Sequence, residues 1–342
     1  MKQPCLTGCL VARKDSNALV GSVSAGASPP CGHDEQEPDR FVELPDGMRL
    51  CYRAYGGASG TPLLLIAGLG LQLISWPEAF VQALVTAGYW VIAPDNRDVG
   101  KSFRVGTRPP GKLRQILRWP PPDSYSLDDM ADDMTRLLQS LEIPAAHVIG
   151  MSMGGMIGQT LASRHAERVL TLTSIFSTTG AVDVGQPALS ALLRQDRSES
   201  RTSSEATNRY VNIMRYVGDP QAPGIESEWS AYALRAWERN GNRANASGSG
   251  RQIGAILKSG DRTAQLRRIK APTLVIHGDR DLLVHPSGGA ATAAAIPGAR
   301  LVTVPGLRHQ IDSMRSPELA GLIVRHIKES TKALGLTVNE RT

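Results

Sequence analysis

Short runs of almost continuous apolar residues alternate with longer amphipathic stretches from Arg40 onward. Eight such runs cover residues 41–44, 48–52, 62–68, 90–95, 146–150, 169–177, 273–278 and 300–305. The later ones lack the every-second-residue alternation of a half-buried strand, so they predict strands buried on both faces. The first two flank Pro45-Asp46-Gly47, a hairpin signal. Between the runs, helical spacing of apolar residues predicts helices over 78–87 and 127–141. Ser126, with Asp129 three residues on, resembles a capping box at the start of the second. Ser316-Pro317 opens a last helix ending near Leu334, with proline where its missing N–H does no harm. Strand alternating with helix predicts an α/β fold, a mostly parallel sheet with helices on both faces.

Two segments break this rhythm. Residues 1–39 are rich in Gly, Ser, Ala, Pro and charge without any period, and such a segment buries too little to offset its ordering entropy. A disordered extension is expected there. Residues 178–271 are too many for a structureless loop inside a compact domain, so they predict an inserted subdomain. Its patterns are helical over 187–194, 203–216 and 226–239, and it carries Tyr210, Met214, Tyr216, Trp229, Tyr232 and Trp237. The expected division is a core of 40–179 and 266–335, an insertion of 180–265 and a tail of 336–342.

Composition narrows the function classes. The 342 residues carry 38 Lys+Arg against 32 Asp+Glu, a net charge of +6, but the cations are scattered and the densest cluster is Arg267, Arg268 and Lys270. With 5% aromatics and no zinc-type Cys/His spacing, a nucleic-acid partner is not expected. Every apolar run falls far short of the roughly 18 to 20 residues a membrane-spanning helix needs, so no membrane partner is expected and the chain reads as soluble. Three of its four cysteines, Cys5, Cys9 and Cys31, lie in the extension, leaving Cys51 alone in the folded part. That distribution suits a reduced, cytoplasmic protein. Leu6-Thr7-Gly8-Cys9 has the look of a lipoprotein cleavage box, but the residues before Cys9 are too few for a signal peptide.

The most specific segment is Gly150-Met151-Ser152-Met153-Gly154-Gly155, which follows an apolar run and precedes the helical pattern of Ile157, Leu161 and Ala162. This is the G-x-S-x-G nucleophile elbow in its required strand-turn-helix context. Residues two before and two after the serine must be small, and both are glycine. The plainer alternative is a glycine-rich turn with an incidental serine. A serine hydroxyl attacks only when a base removes its proton, so a histidine oriented by a carboxylate is needed.

Seven histidines are available. His33 lies in the extension, His147 and His277 in strands, and His165 and His326 on helices. His309 follows the last strand, at the same end of the sheet as Ser152, and is the expected base; His285 is the fallback. For the acid, Gly278-Asp279-Arg280-Asp281 leaves the preceding strand at its carboxyl end, where catalytic groups of open α/β sheets gather. Asp281 is favoured because two spacer residues after Gly278 let the loop turn its carboxylate inward; Asp279 competes, with a turn-forming role as its plainer reading. An oxyanion needs two donors. The backbone N–H of Met153 is one, and Leu69 N–H, in the glycine-lined Ala67-Gly68-Leu69-Gly70, is the other.

These motifs, with Pro94-Asp95-Asn96-Arg97-Asp98-Val99-Gly100-Lys101-Ser102 and Gly306-Leu307-Arg308-His309, resemble the α/β-hydrolase superfamily over about residues 40–334. The run from Ala67 to Ser75-Trp76-Pro77 is similar to a subgroup of capped esterases that includes polyketide methylesterases and macrolide esterases. It departs from the commoner His-Gly pair by placing Ala67 before Gly68. The resemblance implies an eight-stranded α/β-hydrolase fold, an insertion that serves as a helical cap, and loop-shaping roles for Arg97 and Asp98. It implies a cofactor-free, metal-free serine hydrolase acting on a small-molecule ester or lactone, with opening of a macrolide-type lactone, and so antibiotic resistance, as the preferred substrate expectation. Trp229, Tyr232 and Trp237 would line an apolar substrate pocket or form the cap's own core. The competing expectations are carbon–carbon bond hydrolysis or perhydrolysis at the same site, and a ligand-binding module that no longer turns over.

Overall fold

Eight strands form at the eight apolar runs: β1 Arg40–Glu43, β2 Arg49–Tyr55, β3 Thr61–Ile66, β4 Tyr89–Pro94, β5 Ala146–Met151, β6 Val169–Ile175, β7 Thr273–Gly278 and β8 Arg300–Val304. A computed structural model describes residues 37–188 and 200–333 of the chain. The strands make one sheet in the order β1-β2-β4-β3-β5-β6-β7-β8. The two pairings of β2 are antiparallel and the rest are parallel. β3 lies between β4 and β5, and Ile66 at its end is in register with Gly150. The loops leaving β3 and β5 at their carboxyl ends are thereby neighbours, the crevice where open α/β sheets gather their reactive groups.

The helices in chain order are α1 Glu78–Thr86, α2 Lys112–Ile116, α3 Leu127–Ser140, α4 Met153–Arg164, α5 Ser203–Val217, α6 Ile225–Arg239, α7 Ala246–Ser259, α8 Thr263–Leu266, α9 Ser287–Ala295 and α10 Ser316–Ala333. Continuous apolarity in the central strands has its reason in two cores. Leu64, Ile66, Ile92 and Val148 join the layer packed by α3 and α4. Their neighbours Leu63, Leu65, Val91 and Ile149 join the layer packed by α1 and α10. Burying each such side chain contributes about 1.5–3 kcal/mol, so a polar residue at any of them would be costly. α3 starts as its sequence indicated: Asp129 N–H donates to Ser126 Oγ at 3.3 Å and Ser126 N–H to Asp129 Oδ2 at 2.7 Å.

The segment between β6 and β7 contributes α5 to α8. α5 and α6 enclose a small cluster of Val211, Met214, Val217, Ile225 and Trp229. The helix expected over 187–194 falls largely outside the described residues, as do residues 1–36 of the expected extension and the tail. Asp39, the last residue of that extension, is tied to Arg53 at 2.7 Å and Lys101 at 2.8 Å of the core and to Arg239 of the insertion at 3.0 Å. Helices α7 and α9 were not expected, because their sequences, ASGSGRQIGAILKS and SGGAATAAA, carry glycines that disfavour helix. Those glycines serve tertiary contacts instead: a Cβ on Gly248 would collide with the Asp98 carbonyl, and one on Gly289 with the His277 ring. Among the described residues no helix is long and apolar enough to cross a membrane.

Candidate active site

β5 ends at Met151 and α4 begins at Met153, so Ser152 alone makes the turn, at φ 55° and ψ −120°. A non-glycine residue there is strained by roughly 1–3 kcal/mol and persists only if its surroundings fix it. They do: Ser152 N–H donates to the Ile175 carbonyl at 2.9 Å, and its own carbonyl accepts from Ser177 Oγ at 2.8 Å. A Cβ on Gly150 would run into the Gly154 carbonyl, and one on Gly154 into the Ile66 carbonyl. Both flanking glycines are therefore steric requirements of the turn, as the sequence reading held.

His309, on the loop after β8, reaches both partners. Its Nε2 is 2.9 Å from Ser152 Oγ, and its Nδ1 is 2.7 Å from Asp281 Oδ2. Because an ionised carboxylate only accepts, Nδ1–H donates to Asp281, and Nε2 is left to accept the Ser152 hydroxyl. Burial works to raise the Asp281 carboxyl. It is outweighed by the charge of His309, by hydrogen bonds from His277 and His309, and by the Val284 N–H, so the group stays well below the usual carboxylate range. Its second oxygen accepts Leu283 N–H at 2.8 Å and Val284 N–H at 2.9 Å.

Of the two aspartates left open by the sequence, Asp281 is the one brought to His309. Asp279 is exposed and accepts Gly306 N–H at 2.7 Å, a tie across the loop. His285 is likewise exposed, paired with Ser287 at 2.9 Å. Phe176, which sequence reasoning missed, packs its ring 4.6 Å from the His309 imidazole, and His309 N–H donates to the Val217 carbonyl of α5 at 3.0 Å. An aromatic inside an apolar run reads as one more core side chain and carries no local signal for such a contact.

The loop after β3 lies beside the serine: a Cβ on Gly68 would stand 3.4 Å from Ser152 Cβ. Leu69 follows, partly exposed, and Met153 opens α4, where the first N–H groups lack partners within the helix. Gly70, at φ 69°, gives its N–H to Gln252 Oε1 of α7 at 2.8 Å. Gln72 gives its N–H to Tyr232 Oη at 3.2 Å and its side-chain amide to the Ala236 carbonyl at 2.7 Å. Arg239 Nη1 reaches Gln72 Oε1 at 2.6 Å, and Nη2 reaches Asp95 at 3.1 Å. Insertion helices α6 and α7 thus hold the β3–α1 loop from outside the sheet, through Gln252 and Arg239, neither of which any sequence motif marked.

The aromatic residues of the insertion have structural partners. Trp229 belongs to the small core between α5 and α6, which is the second of its two readings. Tyr232 packs its ring, tilted, 4.9 Å from that of Tyr210 and anchors Gln72, and Trp237 is buried near the end of α6. Arg97 pairs with Asp133 at 2.6 Å and Asp98 with Arg251 at 2.6 Å, both apart from the serine, as loop-shaping residues would be. A separate cavity of about 400 Å³, lined by Arg104, Asn240, Arg243 and Arg251 among others, includes none of the Ser152 cluster. No set of three or more His, Cys, Asp or Glu among the described residues is grouped to hold a metal ion.

The family description "alpha/beta hydrolase fold" matches residues 61–311. The chain belongs to the alpha/beta hydrolase fold family. Within it, the chain is 31% identical over 315 residues to the rhodomycin D methylesterase DauP of Streptomyces sp. (strain C5), covering 86% of this chain and 99% of that protein. It is similar to the same extent to rhodomycin D methylesterase DnrP of Streptomyces peucetius. The crystal structure of a hydrolase from Pseudomonas aeruginosa PA01 shares the fold with a TM-score of 0.61 at 25% identity, covering 85% of this chain and 97% of that one. The expected α/β-hydrolase fold and the likeness to polyketide methylesterases both hold, and an ester-bond hydrolase is the enzyme class of these named relatives.

Proposed function

We propose that this alpha/beta hydrolase cleaves a carboxylic ester with Ser152 as nucleophile, His309 as general base and Asp281 as the orienting carboxylate. The observation that carries the reading is the unbroken hydrogen-bonded chain from Ser152 Oγ through both nitrogens of His309 to Asp281, at 2.9 and 2.7 Å. Ser152 Oγ attacks the ester carbonyl as its proton passes to His309 Nε2. Asp281 remains ionised beside the imidazolium, in keeping with its lowered pKa. The tetrahedral oxyanion is held by the N–H groups of Leu69 and Met153, each such donor contributing about 2.7–4 kcal/mol of transition-state stabilisation. Collapse expels the alcohol, which takes the proton from His309. Water, deprotonated by His309, then attacks the acyl-enzyme and returns Ser152 to its resting state, with no cofactor consumed.

The insertion of residues 180–265 acts as a cap over this site in our reading, and the cysteine distribution supports a cytoplasmic setting. Similarity to the two methylesterases supports a methyl ester on a polyketide-type acid as the substrate class. The run from Ala67 to Pro77 keeps a macrolide-type lactone, and with it antibiotic resistance, as the second reading. A panel of both classes read by mass spectrometry separates them: a methyl ester loses one CH2 with release of methanol, whereas a lactone gains one water. Labelling with a fluorophosphonate and mapping the adduct tests the chemistry itself. An adduct on Ser152 that disappears in Ser152→Ala, together with lost turnover, is expected; full turnover by Ser152→Ala would remove the reading.

A further inference from the structure

Four large apolar side chains stand in solvent within seven residues. Leu113, Ile116, Leu117 and Trp119 are 69%, 78%, 59% and 61% exposed. Leu113 and Ile116 of α2 and Leu117, which caps it in helical conformation, fall at i, i+3 and i+4, so they make one stripe, and no residue of α2 is buried. An apolar helix stripe normally faces a core; here it faces outward, and a contiguous exposed patch of this kind marks a surface that meets something apolar.

Charge says what that something is. From Val99 to Pro122 the chain has no Asp or Glu, while Arg108, Lys112, Arg114 and Arg118 surround the stripe. Arg108, Lys112 and Arg118 are exposed, and none of the four forms an ion pair among the described residues. Trp119, beneath the Arg114 guanidinium at 4.7 Å, adds an aromatic with an apolar body and a polar N–H. Apolar anchors, an interfacial tryptophan and a ring of unneutralised cations together match the headgroup region of an anionic bilayer. A second copy of this chain docked through the same stripe would bring cations against cations, which disfavours self-association.

We propose that the segment of residues 108–119 is a peripheral docking surface for anionic lipid membranes, with Leu113, Ile116, Leu117 and Trp119 entering the headgroup layer and the four cations binding lipid phosphates. The surface lies on the bilayer and does not span it. Its backbone is held to the fold by two of its own prolines, which pack against α7: Pro109 at Gly250 and Pro110 at Gly254. A docked segment would therefore carry the whole enzyme with it.

Co-sedimentation of the full chain with vesicles of mixed phosphatidylglycerol and phosphatidylcholine, at low and high salt, tests this. Pelleting with the mixed vesicles is expected, weaker at high salt and weaker with phosphatidylcholine alone. The double variant Leu113→Ser/Ile116→Ser should bind about ten-fold or more less tightly, and Lys112→Ser about five-fold less. Both variants should keep wild-type turnover of a water-soluble ester, since neither site touches the Ser152 cluster, and that activity certifies their fold. Wild-type protein that stays in the supernatant of mixed vesicles at low salt overturns the proposal. So does equal binding by the double variant, or a wild-type dimer in sedimentation that the double variant abolishes, which would assign the stripe to a second copy.

Discussion

Gln252 Oε1 accepts Gly70 N–H at 2.8 Å while Gln252 Nε2 donates to the Arg97 carbonyl at 2.8 Å, so one fully buried amide of the insertion spans two loops of the sheet. Gly70 adjoins Leu69, a proposed oxyanion donor, and the aim of that N–H depends on where the loop is held. Gln252→Met keeps the volume and loses both bonds. We expect kcat to fall about ten-fold, a fraction of what removing a donor outright costs, with KM changed much less. Steady-state kinetics on a soluble ester would check this; a change confined to KM would assign Gln252 to substrate binding instead.

Asp281 and Asp279 stand two residues apart in sequence with different tasks. Asp281→Asn cannot hold the His309 tautomer that leaves Nε2 free, and kcat should drop by about 10⁴. Asp279→Asn disturbs only an exposed tie to Gly306 N–H, so activity should stay within a few-fold of wild type and stability within about 1 kcal/mol. Parallel kinetics on the two variants give the contrast; equal losses would contradict the assignment of Asp281.

The sheet and the hydrogen-bonded Ser152–His309–Asp281 cluster were legible because each rests on a local pattern. Buried strands announce themselves as apolar runs, and the Ser152 turn needs glycines at 150 and 154 that no other residue can replace. His309 could be ranked from its position after β8 alone. Asp281 could be favoured over Asp279 from the spacing after Gly278, but only the loop's path in space shows which of the two meets His309. What the sequence did not disclose is held together at long range. Gln252 and Gly70 are 182 residues apart, Arg239 and Gln72 are 167 apart, and neither amide nor guanidinium carries a motif. Helix α7 was hidden for a related reason: its glycines lower helix propensity, and their value appears only where Gly248 meets the Asp98 carbonyl.

Two glycines of α4 should respond very differently to alanine. At Gly154 the added methyl would drive into the Ile66 and Ala67 carbonyls, which are backbone and cannot swing away. Gly154→Ala should therefore destabilise by about 3 kcal/mol or more, or fail to fold. At Gly158 the nearest atoms are side-chain methyls of Leu172 and Val148, at 3.1 and 3.3 Å. The squeeze there is offset by alanine's better helix propensity, about 1 kcal/mol, and Gly158→Ala should leave stability within about 1 kcal/mol of wild type. Chemical denaturation of both variants reads the difference.

Mild acid should weaken the fold through His147. This side chain of β5 is buried, bonded through Nδ1 to Thr171 Oγ1 at 2.9 Å and edge-on to Tyr89. Burial, with the charge of His326 second, lowers its pKa to about 4. In the unfolded chain the imidazole titrates near 6.5, so between that value and about 4 the unfolded state binds a proton that the folded state refuses. The stability is fully present above about pH 6.5 and drains as pH falls, by about 3 kcal/mol at the lower limit. His326, also lowered by burial, adds to the same slope. Asp39 and Asp281 act only below the ordinary carboxylate range, where their lowered pKa values make protonation costly to the fold. His147→Gln retains a polar partner for Thr171 and cannot titrate, so denaturation between pH 7.5 and 4.5 should show a shallower loss than wild type. Superimposable slopes in the two proteins would mean that the imidazole at 147 takes up its proton without opening the sheet.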